Sequence, residues 1–368
     1  MTIATVLIWA LTAFLVLASL LPLSKLPYGA IRGLAFPREQ FFVLAILLIP
    51  AVIYFQPGGW GRLGAVLLIG VALIQLLYIV KFTPFWGRQS LDAPAGLSED
   101  EGAKLSLIAA NVKMSNRAYR RLIQLAKDRQ PDILMAIEVD EDWLEALKQG
   151  LEEEYPHWVE VPQDNGYGLC LMSRLELSEV DVRYLITEGV PSIRTMVTLR
   201  NGESVRLYVV HPEPPVIDHD TAGRDSEIAQ VGLEALNDPL PAIVTGDLND
   251  VAWSTTTRLF QRLSRLLDPR VGRGFFNTFS ATMPWFRWPL DHLFHDARFR
   301  LIAMERLEKI GSDHFPMWFV LALAETEDRE LSPGSADPAE KRETEEMIDR
   351  ERSRDRDPIG SDWEKEQE

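Results

Sequence analysis

The sequence contains a single cysteine among its 368 residues, Cys170. One thiol excludes an internal disulfide and any zinc site built from several cysteines. Cys170 lies in "GYGLCLMSR", residues 166–174, where apolar and other residues alternate. This pattern predicts a strand with Cys170 in the core.

Basic side chains are outnumbered, with 38 Lys and Arg against 54 Asp and Glu and a formal net charge of −16. This balance argues against a broad surface for duplex DNA, which is normally basic. Residues 325–368 hold 17 acidic and 8 basic residues and almost no large apolar ones. Such a segment cannot bury enough surface to offset its ordering entropy, so we predict an acidic, disordered tail. A short helix over residues 339–352 is the alternative.

Charged side chains are absent from Met1 to Ser24, and residues 63–80 form a second uncharged run. Residues 41–55 form a third run, which ends before the breaker "QPGG". Because about 20 apolar residues span a bilayer core of roughly 30 Å, these runs predict three transmembrane helices. The first run has no basic segment before it and is followed by further spans, so we expect a retained anchor and not a cleaved signal peptide.

We therefore predict a membrane anchor over residues 1–82 and an integral protein of the inner cell membrane, with the lipid bilayer as a partner. Lys25, Arg32 and Arg38 in the first loop outnumber Arg62 after the second. By the positive-inside rule this small excess places the soluble part in the cytoplasm. Residues 83–103, rich in Pro, Gly and Ser, predict a linker. No protein partner is evident from the sequence.

Residues 104–324 alternate between strand-like and helical patterns, which predicts one α/β domain. The short apolar runs are "LSLIAAN", "DILMAIE", "YGLCLMS", "RLYVVH", "PAIVTGD" and "FPMWFVLAL". Helical patterns cover residues 117–129, 141–153, 223–236 and 255–267.

Polar residues that carry chemistry recur at the edges of these strands, where α/β folds build sites. The positions are Asn111, Glu138, His211, Asp247, Asn249, Asp291, Asp313 and His314. Taken alone, "GSDHFP" is an ordinary turn and the pair Asp247 and Asn249 an ordinary strand-to-turn cap. The recurrence of such residues at the edges of several strands favours a functional site.

The set fits displacement at phosphorus. Glu138 can hold a hard divalent cation, Mg²⁺ or Mn²⁺, which takes few protein carboxylates and retains waters. Asn111 and Asn249 can orient phosphate oxygens, and Asp247 can position and deprotonate a water. His314 can contact or protonate a phosphate oxygen if a buried carboxylate fixes its ring, and Asp291 is the candidate for that carboxylate.

In this order, Asn111, Glu138, His211, "GDLND" and "GSDHFP" resemble the endonuclease/exonuclease/phosphatase superfamily. The anchor, "NVKMSNR" and "HPEPP" further resemble its bacterial membrane-anchored branch. The resemblance implies a four-layered sandwich of two facing sheets with helices outside. It also implies a metal ligand at Glu138 with Asn111 near the metal, Asp313 in the second metal shell and His211 on a phosphate oxygen. Members of that branch are expected to face outward, so we predict an extracytoplasmic domain against the small charge excess.

Lys113 departs from the family pattern, since some repair members carry an acid two positions after the asparagine. That difference favours one metal over two. The aromatic stretch 274–290 has two readings, a substrate-side loop or a lip that packs on the domain or dips into the bilayer, and we favour the second. His292 and His295 are assigned to structure and Ser254 to a helix N-cap.

The sequence therefore predicts a membrane-anchored, metal-dependent phosphodiesterase or phosphatase. Its substrate is a nucleic acid, a phospholipid or a sugar phosphate. The alternative is a catalytically inactive binding or scaffold protein on the same fold. A decayed enzyme usually loses its base, metal ligand or histidine, and all are present here.

Overall fold

A computed structural model describes residues 2–24, 26–325 and 333–361. Its N-terminal part is a helical bundle of α1 (Ile3–Leu20), α2 (Gly29–Gly33), α3 (Arg38–Phe55) and α4 (Gly59–Ile79). Three segments are long and apolar enough to cross a membrane, namely Ile3–Leu23, Arg38–Phe55 and Gly59–Phe82. These are the three helices that the uncharged runs predicted.

The bundle has an apolar interior and an apolar exterior. Leu15, Ala45 and Leu68 are buried in one cluster between the helices. On the outside, Leu47 is 65% exposed and Leu77 is 77% exposed. A bundle in water would not leave a continuous apolar exterior, whereas lipid contact suits it.

The described residues of the soluble part contain strands that form two facing sheets. In chain order they are β1 (Lys104–Asn111), β2 (Ile133–Ile137), β3 (His157–Val161), β4 (Leu169–Ser173), β5 (Leu177–Arg183), β6 (Ser192–Thr198), β7 (Ser204–Val210), β8 (Ala242–Asp247), β9 (Asp291–His295), β10 (Phe299–Arg306) and β11 (Met317–Leu323). The first sheet has the order β10-β11-β1-β2-β4-β3, and the second has the order β5-β6-β7-β8-β9.

Helices cover the outer faces of both sheets. The helices of this part are α5 (Ala95–Glu99), α6 (Tyr119–Arg129), α7 (Glu141–Leu151), α8 (Ala222–Asn237), α9 (Thr255–Ser264) and α10 (Pro338–Arg352). One apolar cluster joins the inner faces of the two sheets. Separate clusters join α6 and α7 to the first sheet, and α8 and α9 to the second. The predicted four-layered sandwich is confirmed.

Several strands were not predicted from the sequence because they lie at sheet edges and bury few side chains. β3 and β10 are the edges of the first sheet, and β5 is an edge of the second. In β5 every residue is exposed or half-buried. An edge strand needs only one apolar face or none, so its sequence lacks the apolar run that marks a central strand.

The segment predicted as a linker packs against both sheets, through His295 of the second and Leu301 of the first. Ser90 is fully buried, and its hydroxyl lies 2.7 Å from Nε2 of His295. The Leu301 backbone N–H donates to the Leu91 carbonyl at 2.8 Å. The connection from the anchor to the sandwich is therefore docked along residues 90–92.

The structure corrects the disordered tail for residues 333–361. Asp337 caps α10 through a capping box with Glu340. Ala336 and Ile348 are buried with residues of α8 and α9 in one cluster. Average composition favoured disorder, whereas the helix expected as the alternative over residues 339–352 is present as Pro338–Arg352. A few apolar side chains, spaced to face the domain, are enough to dock it. Residues 326–332 and 362–368 of the expected tail lie outside the described residues, as does Lys25 of the first loop.

Candidate active site

The topology brings the predicted residues to one edge of the sandwich. β1 and β2 are parallel, as are β7 and β8, so the ends that carry Asn111, Glu138, His211 and Asp247 point the same way. β9 and β11 run antiparallel to their neighbours, so their first residues lie at the same edge. Asp291, the first residue of β9, pairs in register with Asp247, the last of β8.

His314 lies between two buried carboxylates. Its Nδ1 is 2.8 Å from Oδ2 of Asp291, and its Nε2 is 3.5 Å from Oδ2 of Asp247. Burial by itself lowers the pKa of His314, but the charges of Asp291 and Asp247 outweigh it and raise the pKa to about 10. His314 is therefore an imidazolium, and both ring nitrogens carry hydrogens.

The same trio has the spacing of a metal site, since one ligand atom from each residue lies within 4.8 Å of the others. In this structure the three residues contact one another directly, with His314 between Asp291 and Asp247, and they join the two sheets.

Asn111 links two carboxylates on the other side of the site. Its Nδ2 donates to Oε1 of Glu138 at 2.6 Å and to Oδ2 of Asp247 at 3.0 Å. Burial of the Glu138 carboxylate raises its pKa to about 7. Glu138 forms no salt bridge with any residue in the described part of the chain, and the charge of His314 acts on it without a direct contact.

Burial of the Asp247 carboxylate raises its pKa, but the nearby charge of His314 and the hydrogen bonds from Asn249 and Asn111 act against that effect. The net result is a pKa below the usual range for an aspartate. Asp247 is accordingly ionised near neutral pH. It contacts both the Asn111 amide and the His314 ring.

Backbone conformation contributes to the placement of these groups. Glu138 and Asn249 have φ angles of 64° and 50°, in the left-handed region that side chains other than Asn and Asp rarely adopt. At Gly246 φ is 143°, and a Cβ there would lie 1.9 Å from the Val210 carbonyl oxygen. Only glycine fits before Asp247, which explains the "GD" of the motif.

His211 and Asn249 face the cavity beside Asp247. His211 is 4% exposed, and burial lowers its pKa to about 4, so its ring is neutral. Its Nδ1 is buried without a hydrogen-bond partner among the described residues. Asn249 donates its side-chain amide to the Pro212 carbonyl at 2.9 Å, and its backbone N–H donates to Asp247 at 2.9 Å.

Asp313 is paired with Lys113. The ammonium of Lys113 lies 3.0 Å from Oδ2 of Asp313, and both side chains remain partly exposed. The residue that departs from the family pattern thus places a positive charge at the rim of the site. Asp313 contributes to the negative potential at Glu138 without a contact to it.

A cavity of about 590 Å³ opens over this cluster. Its polar floor contains Glu138, His211, Asp247, Asn249 and His314. Its walls come from distant parts of the chain, which are residues 33–37 of the anchor, residues 165–167, Pro214 and Pro215, residues 279–290 of the aromatic stretch, and Ile359 and Gly360 after α10. Asn111 and Asp291 lie behind the floor and do not line the cavity.

The sequence reading missed the residues that support the cavity. Buried Arg224 donates to the Asn249 carbonyl at 2.8 Å and pairs with Asp225. Glu213 is buried and accepts from both terminal nitrogens of Arg356 at 2.6 Å. The "HPEPP" motif contained Glu213, but its cation lies 143 residues away, and no local signal identifies it.

The residues assigned to structure occupy structural positions. Ser254 accepts from the Thr257 N–H and caps α9. His292 is buried beside Arg270 and bonds to the Asp250 carbonyl, and His295 bonds to Ser90. Cys170 is buried in β4, as predicted.

The fold is a four-layered α/β sandwich, in which two facing mixed sheets lie between helices. The candidate site lies at one edge, where acids, amides and histidines occupy the strand ends of both sheets. The sequence model of the Endonuclease/Exonuclease/phosphatase family matches residues 108–314. Because that match covers more than half of the chain, the protein belongs to this family, as the resemblance predicted. No curated protein sequence matches the chain.

Solved structures share the fold at low identity. A humanized D. rerio TDP2 with 14 mutations is 18% identical with a TM-score of 0.50, and the match covers 60% of this chain and 99% of that chain. D. rerio TDP2 complexed with single strand DNA product gives the same values. An endonuclease/exonuclease/phosphatase from Beutenbergia cavernae DSM 12333 is 17% identical with a TM-score of 0.49, over 60% of this chain and 72% of that chain. At such identity the likeness shows the fold alone.

Proposed function

We propose that this protein is a membrane-anchored, divalent-metal-dependent phosphoesterase, in which water attacks phosphorus at the cavity floor. The observation that carries the proposal is the convergence of two units on Asp247. Asn111 joins it to Glu138, and His314 joins it to Asp291. A carboxylate held by an amide, a histidine between two carboxylates and an ionised aspartate at one cavity floor suit acid–base and electrostatic work at a phosphate.

The residues present fit a hard divalent cation such as Mg²⁺ or Mn²⁺. Glu138 offers a carboxylate with no salt bridge to any described residue, in a place where the pKa of that carboxylate is raised to about 7. Asn111 and Asp247 add oxygens of the type that these cations bind. When bound, the cation would supply charge neutralisation and polarise a phosphate oxygen. Glu138 and Asn111 are the residues that would hold it.

The other residues act through their own geometry. Asp247, kept ionised by the charge of His314, accepts a hydrogen from the attacking water and orients it. His314 presents positive charge to the phosphate, and Asp291 holds its ring in place from behind. His211 has an unpartnered buried nitrogen that can hydrogen-bond a phosphate oxygen. Asn249, held in a left-handed conformation, positions its amide beside the same oxygen.

The test is hydrolysis of bis(p-nitrophenyl) phosphate and p-nitrophenyl phosphate by the purified full chain in detergent. We expect release of nitrophenol with added Mg²⁺ or Mn²⁺ and none with EDTA. The variant Asp247→Asn should lose turnover while it keeps its circular dichroism. Absence of turnover on both esters and on the lipid and nucleic acid substrates described below, with metal supplied, would instead favour the inactive binding protein.

A further inference from the structure

Part of the cavity wall is built by the membrane anchor. Gly33, Phe36 and Pro37 line the cavity, and α3 begins at the next residue, Arg38. Phe36 is two residues from α3, and two residues span at most about 7 Å. The first residue of a membrane-crossing segment therefore lies within about 7 Å of the wall of the site.

The anchor is fixed against the domain at this place. Phe36, Ile79 and Phe82 share one buried cluster with Trp253 and Leu290 of the sandwich. Trp253 donates its indole N–H to the Ala35 carbonyl at 2.7 Å. The relation between the cavity and the membrane helices is thus set by a packed, hydrogen-bonded interface.

The aromatic stretch is attached to the same helix end. Gln40, in the first turn of α3, donates to the carbonyls of Trp285 and Arg287 at 3.2 Å each. Asn277 donates to Glu39 at 3.0 Å. Residues 277–287 therefore sit beside the membrane-entry end of α3, where Trp285 is 82% exposed.

A continuous series of rings connects the reacting centre to that end. Phe279 lies 5.0 Å from His314 between ring centroids, Trp288 lies 5.9 Å from Phe279, and Phe36 lies 5.8 Å from Trp288. Phe286 packs on Trp288 at 6.3 Å and is 54% exposed. The path from the polar floor to the membrane-facing rim is apolar and aromatic.

Exposed apolar side chains also mark the domain side of the bundle. Leu23 is 48% exposed just after α1, and Phe85 and Trp86 are 95% and 52% exposed just after α4. One end of the bundle contains the C-terminal ends of α1 and α4 and the N-terminal end of α3. Each of these helix ends adjoins a segment that packs on the sandwich. Tryptophan at such a level favours the membrane interface. In a bilayer that these helices span, the cavity mouth would therefore lie near the lipid headgroups.

We propose that the substrate is a phosphate ester of a lipid that remains in the bilayer, with its phosphate over His314 and Asp247 and its apolar part along Trp288 and Phe36. This inference rests on the proposed phosphoesterase function. In the reaction, the oxygen of water bonds to phosphorus, the phosphorus–oxygen bond to the leaving group breaks, and one proton from that water ends on the leaving oxygen. No oxidant or reductant is required.

Charge at the cavity disfavours a polynucleotide as the substrate. The lysine and the charged histidine that line the cavity, Lys113 and His314, are already paired with carboxylates. A single-stranded nucleic acid needs a basic groove along several phosphates. Here the surfaces next to the polar floor include Phe36, Pro37 and Leu290.

The experiment uses the full chain in phosphatidylcholine vesicles with metal supplied. Long-chain phosphatidic acid and phosphatidylglycerol in the bilayer are compared with their water-soluble dibutyryl analogues, bis(p-nitrophenyl) phosphate and a single-stranded oligonucleotide. Products are followed by ³¹P NMR and chromatography. We expect kcat/KM for at least one long-chain lipid to exceed that of its dibutyryl analogue by roughly tenfold or more, because the apolar path binds the chains.

Single variants test which side chains favour the lipid substrate. Phe36→Ala and Trp285→Ser should each lower the ratio of the lipid rate to the bis(p-nitrophenyl) phosphate rate several-fold. Tyr184→Ser removes a ring that is 43% exposed and outside the cavity, and it should leave that ratio at the wild-type value.

Hydrolysis of the soluble esters without hydrolysis of any bilayer lipid would overturn the lipid inference and leave the phosphoesterase function intact. Faster cleavage of the oligonucleotide than of the lipids would do the same. Failure on every substrate would overturn both proposals.

Discussion

His314 contacts Asp291 at 2.8 Å although the two residues belong to different sheets. Asp291 opens β9 of the second sheet, and His314 precedes β11 of the first. The contact therefore ties the two sheets together at the edge where the cavity lies. It also keeps the imidazole charged, because a buried carboxylate beside a ring favours its protonated form.

The first prediction concerns this pair. His314→Ala should lower kcat by a factor on the order of 10² to 10⁴, the range for a group that assists proton transfer or stabilises charge. Asp291→Asn should lower kcat by a smaller factor. The double variant should lower kcat little more than His314→Ala alone, because the two residues act as one unit. Steady-state kinetics and circular dichroism are the measurements. His219→Ala, at an exposed histidine, is the matched control. Near-normal turnover of a folded His314→Ala variant would mean that the "SDH" triplet is only a turn.

The second prediction concerns pH and stability. The folded-state pKa of His314 is about 10, above its ordinary value of 6.5. A raised pKa means that the folded protein binds the proton more tightly, so the contribution to stability is complete below about pH 6.5 and is lost as pH rises through about 10. The difference in thermal midpoint between wild type and His314→Gln, measured in detergent without metal, should therefore shrink from pH 6.5 to 10. A difference that stays constant over this range would contradict a charged His314.

The third prediction concerns the metal. Glu138→Gln should abolish turnover at ordinary Mg²⁺ concentrations and weaken Mn²⁺ binding at least about tenfold, because the variant lacks the charged ligand. Mn²⁺ binding can be followed by electron paramagnetic resonance of the free ion, independently of activity. Glu153→Gln, an exposed acid near the end of α7, should behave as wild type. Unchanged Mn²⁺ affinity in Glu138→Gln would place the cation elsewhere.

The fourth prediction concerns the membrane. The full chain should sediment with membranes and resist carbonate extraction, because three apolar helices leave their outer faces to lipid. We expect the sandwich on the extracytoplasmic side, so protease added outside intact spheroplasts should digest it. In inverted vesicles the same domain should be protected. Recovery in the soluble fraction would remove the anchor, and the opposite protection pattern would place the domain in the cytoplasm.

The fifth prediction concerns the support of the cavity by the tail. Arg356 forms a bidentate pair with Glu213, whose side chain is 2% exposed. Arg356→Met should destabilise the fold by about 3 kcal/mol, the low end for removing one partner of a buried pair. The low end applies because Arg356 itself is 23% exposed and partly hydrated. Adding Glu213→Gln should restore much of the loss in denaturant titrations. No recovery in the double variant would mean that the Arg356 stem, and not its charge, matters.

The sequence by itself determined the chemistry of the strand ends. Central strands such as β1 and β8 are apolar along their length, so a terminal Asn111 or Asp247 stands out against the run before it. The family resemblance added the two facing sheets with helices outside, whereas the order and direction of the strands came from the structure. The three uncharged runs predicted the membrane helices just as directly, because crossing a bilayer requires an unbroken apolar segment.

Only the tertiary structure decided what surrounds that chemistry. Phe36, Trp288 and Ile359 come from the anchor, the aromatic stretch and the tail, and they meet at one cavity. The docking of the tail helix was decided in the same way, since Ile348 packs with residues of α8 and α9 within a segment whose average composition is acidic. Contacts between residues far apart in the chain leave no local pattern in either partner. The residues that we propose as reacting groups could therefore be chosen from the sequence, whereas the shape of the cavity depends on packing between distant segments.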